Sequence, residues 1–181
     1  MTRRRTLAIT TLVLAVLLSA CDSRPRAPAL RSSPEFRDDR EGLRFAVPDG
    51  WIQTAVASLP ARLEDEIILV QYKMRTPGQS ASVEILCFDE DQPSDLLEYH
   101  AGPSHGVVSW TPVGDREELN TQQVPGQRMV YQADTQGKTM VKEVVTFRKQ
   151  QRVYSFIGLF FEDDDKAREQ LRQAIKSILW K

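Results

Sequence analysis

The sequence predicts an α+β domain in which an antiparallel sheet of about six strands is covered by helices on both faces. Three apolar runs separated by turn residues predict a meander of three strands, at residues 127–133, 138–147 and 152–161. The third run is apolar on both of its faces, so we expect this strand to be central and covered on both sides. Apolar residues at helical spacing follow and predict a C-terminal helix over 163–180.

The elements before the meander are predicted from alternation and from turn residues. The first strand stops at a Pro-Asp-Gly turn, which Trp51 follows. We expect, in order, strands at 42–47, 66–74 and 81–88, a short helix at 93–100 and a short strand at 107–111. A charged, glutamine-rich stretch then leads to the meander.

Three acids, Asp163, Asp164 and Asp165, open the predicted C-terminal helix. The positive end of a helix dipole favours negative charge at this place, so the acids need no metal ion to explain them. A calcium loop would also require glycine and regularly spaced oxygen ligands, which are missing here. We therefore expect no metal and no cofactor.

Residues 1–20 have the pattern of an export signal. Arginines at positions 3–5 precede an uncharged run over 7–18, and small residues follow. Crossing a membrane takes about 20 apolar helical residues, so this run is too short for a permanent transmembrane helix. We interpret residues 1–20 as a signal peptide that is removed.

The string Leu18-Ser19-Ala20-Cys21 resembles the lipobox of bacterial lipoproteins. The resemblance implies that Cys21 carries diacylglyceryl and palmitate chains and becomes the new N-terminus. Two or more acyl chains anchor a protein stably without a spanning helix. Residues 21–41 are rich in Arg, Pro, Ser and acids and are predicted to be a flexible tether. Residues 42–181 then form one globular domain.

The export route and the final membrane are left open by the residues around the signal. The arginines at 3–5 resemble a twin-arginine signal, but Thr6 stands where a large apolar residue is usual, which favours the general secretory route. Asp22 resembles the signal that retains some lipoproteins at the inner membrane. We expect the domain to face the periplasm or the extracellular side.

Charge and cysteine content argue against nucleic-acid binding and against an intramolecular disulfide. Residues 1–20 hold three arginines and no acids, so the remaining 21 basic and 25 acidic residues give a net charge of −4. Nucleic-acid binding requires clustered excess Lys and Arg, so we expect this protein not to bind nucleic acid. With Cys21 lipidated, Cys87 has no cysteine to pair with, and its place on an apolar strand face predicts a buried hydrophobe.

Residues 45–51, Phe-Ala-Val-Pro-Asp-Gly-Trp, resemble the start of a PsbP-like domain. The likeness extends to the meander ending in 152–154 and to the final segment 177–179. It covers roughly 42–181 and implies an antiparallel sheet between helices, in a superfamily that includes photosystem assembly subunits and bacterial periplasmic lipoproteins. It implies a binding or assembly role and no catalytic residues.

Three side chains are candidates for contact with a partner or ligand: Trp51, His100 and His105. Trp51 is better explained by packing, and the two histidines by a surface loop. Residues 102–106 match the G-x-S-x-G pattern, but a helix precedes Ser104 and a strand follows it, the reverse of a hydrolase elbow. The histidine spacing is not that of a helical metal-ligand pair.

The sequence therefore favours a membrane-anchored, non-catalytic binding or assembly module of the cell envelope, with a protein partner in the envelope. A hydrolase that uses Ser104 and His105 is the first alternative. A carrier of a small apolar ligand between sheet and helix is the second.

Replacing Cys21 with Ser tests the predicted anchor. Because serine cannot form the thioether, we expect the variant to leave the membrane fraction and to incorporate no labelled palmitate. Fractionation and metabolic labelling measure both effects. A variant that remains as firmly membrane-bound as the wild type would contradict the lipid anchor.

Overall fold

The computed structural model describes residues 34–55, 66–76, 79–89 and 95–181. The predicted signal peptide, Cys21 and most of the predicted tether lie outside these residues. Within the described ranges, the protein has no helix with the length and apolar content needed to cross a membrane.

The described residues form ten strands and two helices. The strands are β1 Glu35–Asp38, β2 Leu43–Ala46, β3 Trp51–Ala55, β4 Ile67–Thr76, β5 Gln79–Asp89, β6 Thr111–Thr121, β7 Val124–Thr135, β8 Lys138–Lys149, β9 Arg152–Phe161 and β10 Leu179–Trp180; the helices are α1 Leu96–Ala101 and α2 Asp165–Lys176. Seven strands form one sheet, in the order β3-β4-β5-β9-β8-β7-β6, and β1-β2-β10 form a second. Every strand pair is antiparallel, which confirms the predicted type of sheet.

The large sheet separates two apolar clusters. On one face, side chains of α2 and of the small sheet pack against β4, β5, β8 and β9. On the other, Leu97 and Ala101 of α1 and the buried Trp110 pack against the same strands and β7. A cover of helices on both faces is not confirmed, because α1 is only six residues long and the structure is dominated by sheet.

The three-strand meander is confirmed. The strands β7, β8 and β9 are consecutive neighbours, and β9 lies between β5 and β8. Residues 153–160 are all buried, as the two-sided apolar pattern predicts. Side chains of β8 are therefore enclosed on both faces of the sheet.

The C-terminal helix is shorter than the predicted 163–180. It ends at Lys176, and the hydroxyl of Ser177 donates to the carbonyl of Ala174 while accepting from the backbone N–H of Ala46 (2.9 Å). The chain then leaves the helix and pairs with β2 as β10. The apolar residues at 178–180 are compatible with a helix and with a strand, so their spacing does not distinguish the two.

The strand predicted at 107–111 is wrong. Backbone hydrogen bonds between Ser104 and Val107 close a turn there, and the strand β6 begins at Thr111 instead. This strand occupies the charged stretch that was predicted to be a connection. The strand β6 lies at the edge of the sheet and is interrupted by a bulge between Val113 and Glu117. Most of its side chains are exposed, so its sequence shows no alternation of apolar and polar residues.

The folded region begins before the predicted residue 42. Strand β1 pairs with β2, and the side chain of Asp38 accepts from the N–H groups of Arg40 (2.9 Å) and Glu41 (3.1 Å) in the turn between them. The polar composition of this hairpin resembles that of a tether. Its partner β2 is predicted from the sequence, but the composition of β1 itself gives no sign of the pairing.

Two buried phenols make the fold sensitive to alkali. Burial raises the pKa of Tyr72 and of Tyr131 from 10.0 to about 12. The raised values favour the protonated phenols in the folded state, so their contribution is complete below pH 10 and is lost as the pH rises toward 12. We expect the free energy of unfolding in urea to fall over this interval, and to fall less steeply in Tyr72→Phe. Equal slopes for the variant and the wild type would contradict this account.

Candidate functional site

Trp51 lies in the core. Its indole is 8% exposed, packs against the ring of Tyr72 and donates from Nε1 to Oε1 of Gln170 on α2 (3.2 Å). The indole N–H thus has a partner inside the protein, as a buried tryptophan requires. The structure therefore gives Trp51 a packing role and leaves little of it accessible to a ligand.

The two histidines have different environments. His100 is buried, with Nε2 3.4 Å from the hydroxyl of Ser155, so its predicted place on the surface is wrong. His105 lies with Nε2 3.6 Å from Oε1 of Glu84. Across the part of the chain that the structure describes, no three His, Cys, Asp or Glu side chains form a group that could hold a metal ion.

Ser104 anchors the loop after α1. Its hydroxyl accepts from Nε1 of Trp110 (3.0 Å) and from Nζ of Lys142 (3.1 Å), and it donates to the carbonyl of Gly102 (3.4 Å). No described contact joins this hydroxyl to the ring of His105. The structure therefore does not pair Ser104 and His105 as nucleophile and base.

Lys142 holds this loop from the sheet. It is fully buried on β8, donates to the carbonyl of His100, and lies with Nζ 4.5 Å from the ring centre of Trp110 and 5.3 Å from that of Tyr131. Aromatic faces and carbonyl oxygens stabilise a buried ammonium. The cavity beside this cluster, under α1, measures about 20 Å³, room for a single water and not for a small apolar ligand.

Cys87 is buried, as its place on an apolar face predicts. Burial raises the pKa of its thiol to about 12, and the nearby carboxylate of Glu41 acts in the same direction. Glu41 also accepts from Arg152 (3.2 Å) and Tyr154 (2.9 Å), and so ties the β1–β2 hairpin to the large sheet. This polar cluster is structural, and its thiol is a poor nucleophile.

A groove of about 420 Å³ lies between α2 and the strands β7 and β8. We call it the arginine groove and define it by Arg128 of β7, Glu143 of β8, and Arg168 and Arg172 of α2. The two helical arginines are four residues apart and therefore share one face of α2. Gly158, opposite Glu143 in the sheet, lets the helix approach closely, since a Cβ there would lie 2.5 Å from a methyl of Leu171.

Glu143 is the fixed centre of the groove. Its side chain is 0% exposed, and Oε1 accepts from Nε of Arg128 (2.7 Å) and lies 3.5 Å from Nε of Arg172. No described residue donates to its second oxygen, Oε2, which is uncommon for a buried carboxylate. Because both arginines contact Glu143 through Nε, their terminal nitrogens are available to other partners.

The terminal nitrogens of Arg128 and Arg168 pair with exposed carboxylates. Nη1 of Arg128 pairs with Glu117 and Nη1 of Arg168 with Asp165 (2.9 Å). Burial acts to lower the pKa of Arg128, but its bonds to Glu143 and Glu117 outweigh burial and raise this pKa above its ordinary value. Arg172 is 39% exposed, and its terminal nitrogens have no partner among the described residues.

Two features of the sequence point to this groove. A Lys-Glu pair stands at 142–143 inside an otherwise apolar central strand, where ionised residues require partners. Arg168 and Arg172 repeat at helical spacing on the polar side of α2. Neither signal alone shows that β7, β8 and α2 meet at one place.

Comparison with known proteins gives no matching family model and no matching curated protein. Among solved structures, the chain is similar to the cyanobacterial PsbP protein CyanoP from Synechocystis sp. PCC 6803, with a TM-score of 0.56 and 12% identity over 86% of this chain and 98% of that one. The chain has a PsbP-like fold.

Two further structures show weaker likeness. A protein from Bacteroides thetaiotaomicron VPI-5482 has a TM-score of 0.51 and 7% identity over 83% of this chain, which spans 49% of that protein. A Pseudomonas aeruginosa protein of unknown function, PA94, has a TM-score of 0.49 and 13% identity over 72% of this chain and 97% of that one. At 7% identity, the similarity to the Bacteroides protein concerns the fold and not the activity.

Replacing Glu143 with Gln tests the centre of the groove. The variant removes a charged hydrogen bond to buried Glu143, while Arg128 keeps Glu117 and Arg172 reaches solvent, so we expect a loss of about 2 kcal/mol in the free energy of unfolding. The matched control is Glu117→Gln, which removes the exposed partner of the same Arg128 and should cost less than about 1 kcal/mol. Urea titration measures both, and equal losses would show that Glu143 is not the organising residue.

Proposed function

We propose that this protein is a lipid-anchored, non-catalytic binding or assembly module of the cell envelope, and that the arginine groove is its binding surface. The lipobox at Cys21 supports the anchor and the location outside the cytoplasm. The PsbP-like fold is compatible with a binding role and implies no reaction.

The observation that carries the proposal is the arrangement of Arg128 and Arg172 around buried Glu143. Burying a carboxylate is costly, and a well-packed apolar residue in its place is often no less stable. Here the carboxylate holds two guanidinium groups through Nε and leaves Arg172 with unused donors at the surface. A hydrogen-bond donor whose orientation is already fixed in the free protein loses less conformational entropy when a ligand binds.

The contacts of the candidate nucleophiles support a non-catalytic role. The hydroxyl of Ser104 is engaged by Trp110 and Lys142, and His105 is directed toward Glu84. The thiol of Cys87 is buried and has a raised pKa. The hydrolase alternative therefore lacks its serine–histidine contact, and the carrier alternative lacks a sufficient cavity beneath α1.

Site-specific crosslinking in intact cells tests this function. A photoreactive residue replaces Glu169 at the rim of the arginine groove in the full-length protein, and the matched control replaces Val108, which is 84% exposed in the loop after α1. We expect a discrete envelope adduct from position 169 that disappears when Arg172 is changed to Glu. Identical adducts from both positions, or only bulk lipid and abundant porins, would contradict the proposal.

A further inference from the structure

The arginine groove contains one buried carboxylate that a ligand cannot displace, and three exposed carboxylates, those of Glu117, Asp165 and Glu169, lie around it. Glu143 is fully buried and fixed by Arg128 and Arg172. Glu117 and Asp165, which pair with the outer nitrogens of Arg128 and Arg168, are 54% and 89% exposed. Exposed ion pairs contribute little stability, so these two carboxylates can turn into solvent when another anion arrives.

The remaining charge defines the anion that fits. Three guanidinium groups and the one fixed carboxylate leave two positive charges once Glu117, Asp165 and Glu169 have turned away. The carboxylate of Glu169 is exposed and accepts from Gln173 one turn further along (3.3 Å), so it too can face solvent. A dianion therefore balances the groove, whereas a carboxylate or a phosphodiester supplies only one negative charge.

The geometry favours a tetrahedral group. Arg128 approaches from the sheet, while Arg168 and Arg172 approach from α2, where side chains four residues apart have Cβ atoms about 6 Å apart. Donors arriving from two elements suit oxygens that point in several directions. A planar carboxylate is met fully by a single guanidinium fork.

We propose that the arginine groove binds a phosphate monoester in its dianionic form, through the outer nitrogens of Arg128, Arg168 and Arg172. This inference deepens the proposed function and rests on it, since it names the ligand chemistry of the same surface. The shared group is the terminal phosphate, which a soluble sugar phosphate or the headgroup of a phosphatidic acid lipid can present.

Calorimetry with the full-length lipidated protein in nanodiscs of neutral lipid tests the proposal. The probes are glucose 6-phosphate and its matched monoanion, glucose 6-sulfate. The second pKa of a phosphate monoester is about 6, so glucose 6-phosphate should bind more tightly at pH 7 than at pH 5. Glucose 6-sulfate should bind weakly at both. Equal affinities for the two probes at pH 7 would overturn the proposal.

Variants assign the binding to the groove. Arg172→Gln removes a half-exposed side chain and should weaken glucose 6-phosphate binding about tenfold. Lys176→Gln, one turn further along α2 and exposed, is the control for general charge and should leave the affinity within about twofold. Thermal unfolding checks that both variants are folded. An equal loss in both would overturn the assignment to the groove.

Varying the lipid of the nanodisc distinguishes the two sources of the phosphate, a soluble monoester and a lipid headgroup. Phosphatidic acid in the nanodisc should weaken glucose 6-phosphate binding if the headgroup occupies the groove, and phosphatidylglycerol, a diester, is the control for surface charge. An unchanged affinity assigns the ligand to a soluble monoester. If glucose 6-phosphate fails to bind while position 169 still forms its Arg172-dependent adduct, the phosphate proposal is wrong and the proposed function stands.

Discussion

Two opposite charges occupy neighbouring positions in the central strand β8, and the layers on both faces of the sheet are organised around them. Successive side chains of a strand point to opposite faces, so Lys142 and Glu143 enter different layers. Lys142 fixes the loop after α1 through Ser104 and Trp110. Glu143 fixes the polar side of α2 through Arg172 and the neighbouring strand through Arg128. Since β8 is enclosed, each charge requires compensation from the layer that covers it.

Two polar clusters in this protein serve different ends. Around Glu41, both carboxylate oxygens have partners, in Arg152, Tyr154 and Cys87, and these contacts hold the β1–β2 hairpin in place. Around Glu143, one oxygen receives no donor from the described residues and the outer nitrogens of Arg172 have no described partner. The first cluster has the properties of a structural link. The second retains hydrogen-bonding capacity at a groove that opens to solvent.

How far the sequence predicted the fold depends on how each element is stabilised. Strands β7 to β9 and the body of α2 bury apolar side chains at regular spacing, so their periodicity predicted them. The edge strand β6 is stabilised by backbone pairing with β7 and exposes its side chains, so it left no apolar pattern. The polar composition of β1 hides its pairing with the adjacent β2, and the helix end at Ser177 depends on a contact with Ala46, 131 residues away. The groove was missed for the same reason, since its residues come from three elements that only the tertiary fold brings together.

The fold of CyanoP is shared, but the groove is a property of side chains and not of the backbone path. Well-packed apolar residues of similar volume are often no less stable than a buried ion pair, so stability alone does not account for Arg128, Glu143 and Arg172. The buried carboxylate also orients the two arginines. The outward donors of Arg172 are the part of the arrangement that stability does not require, and they are where a ligand would be recognised.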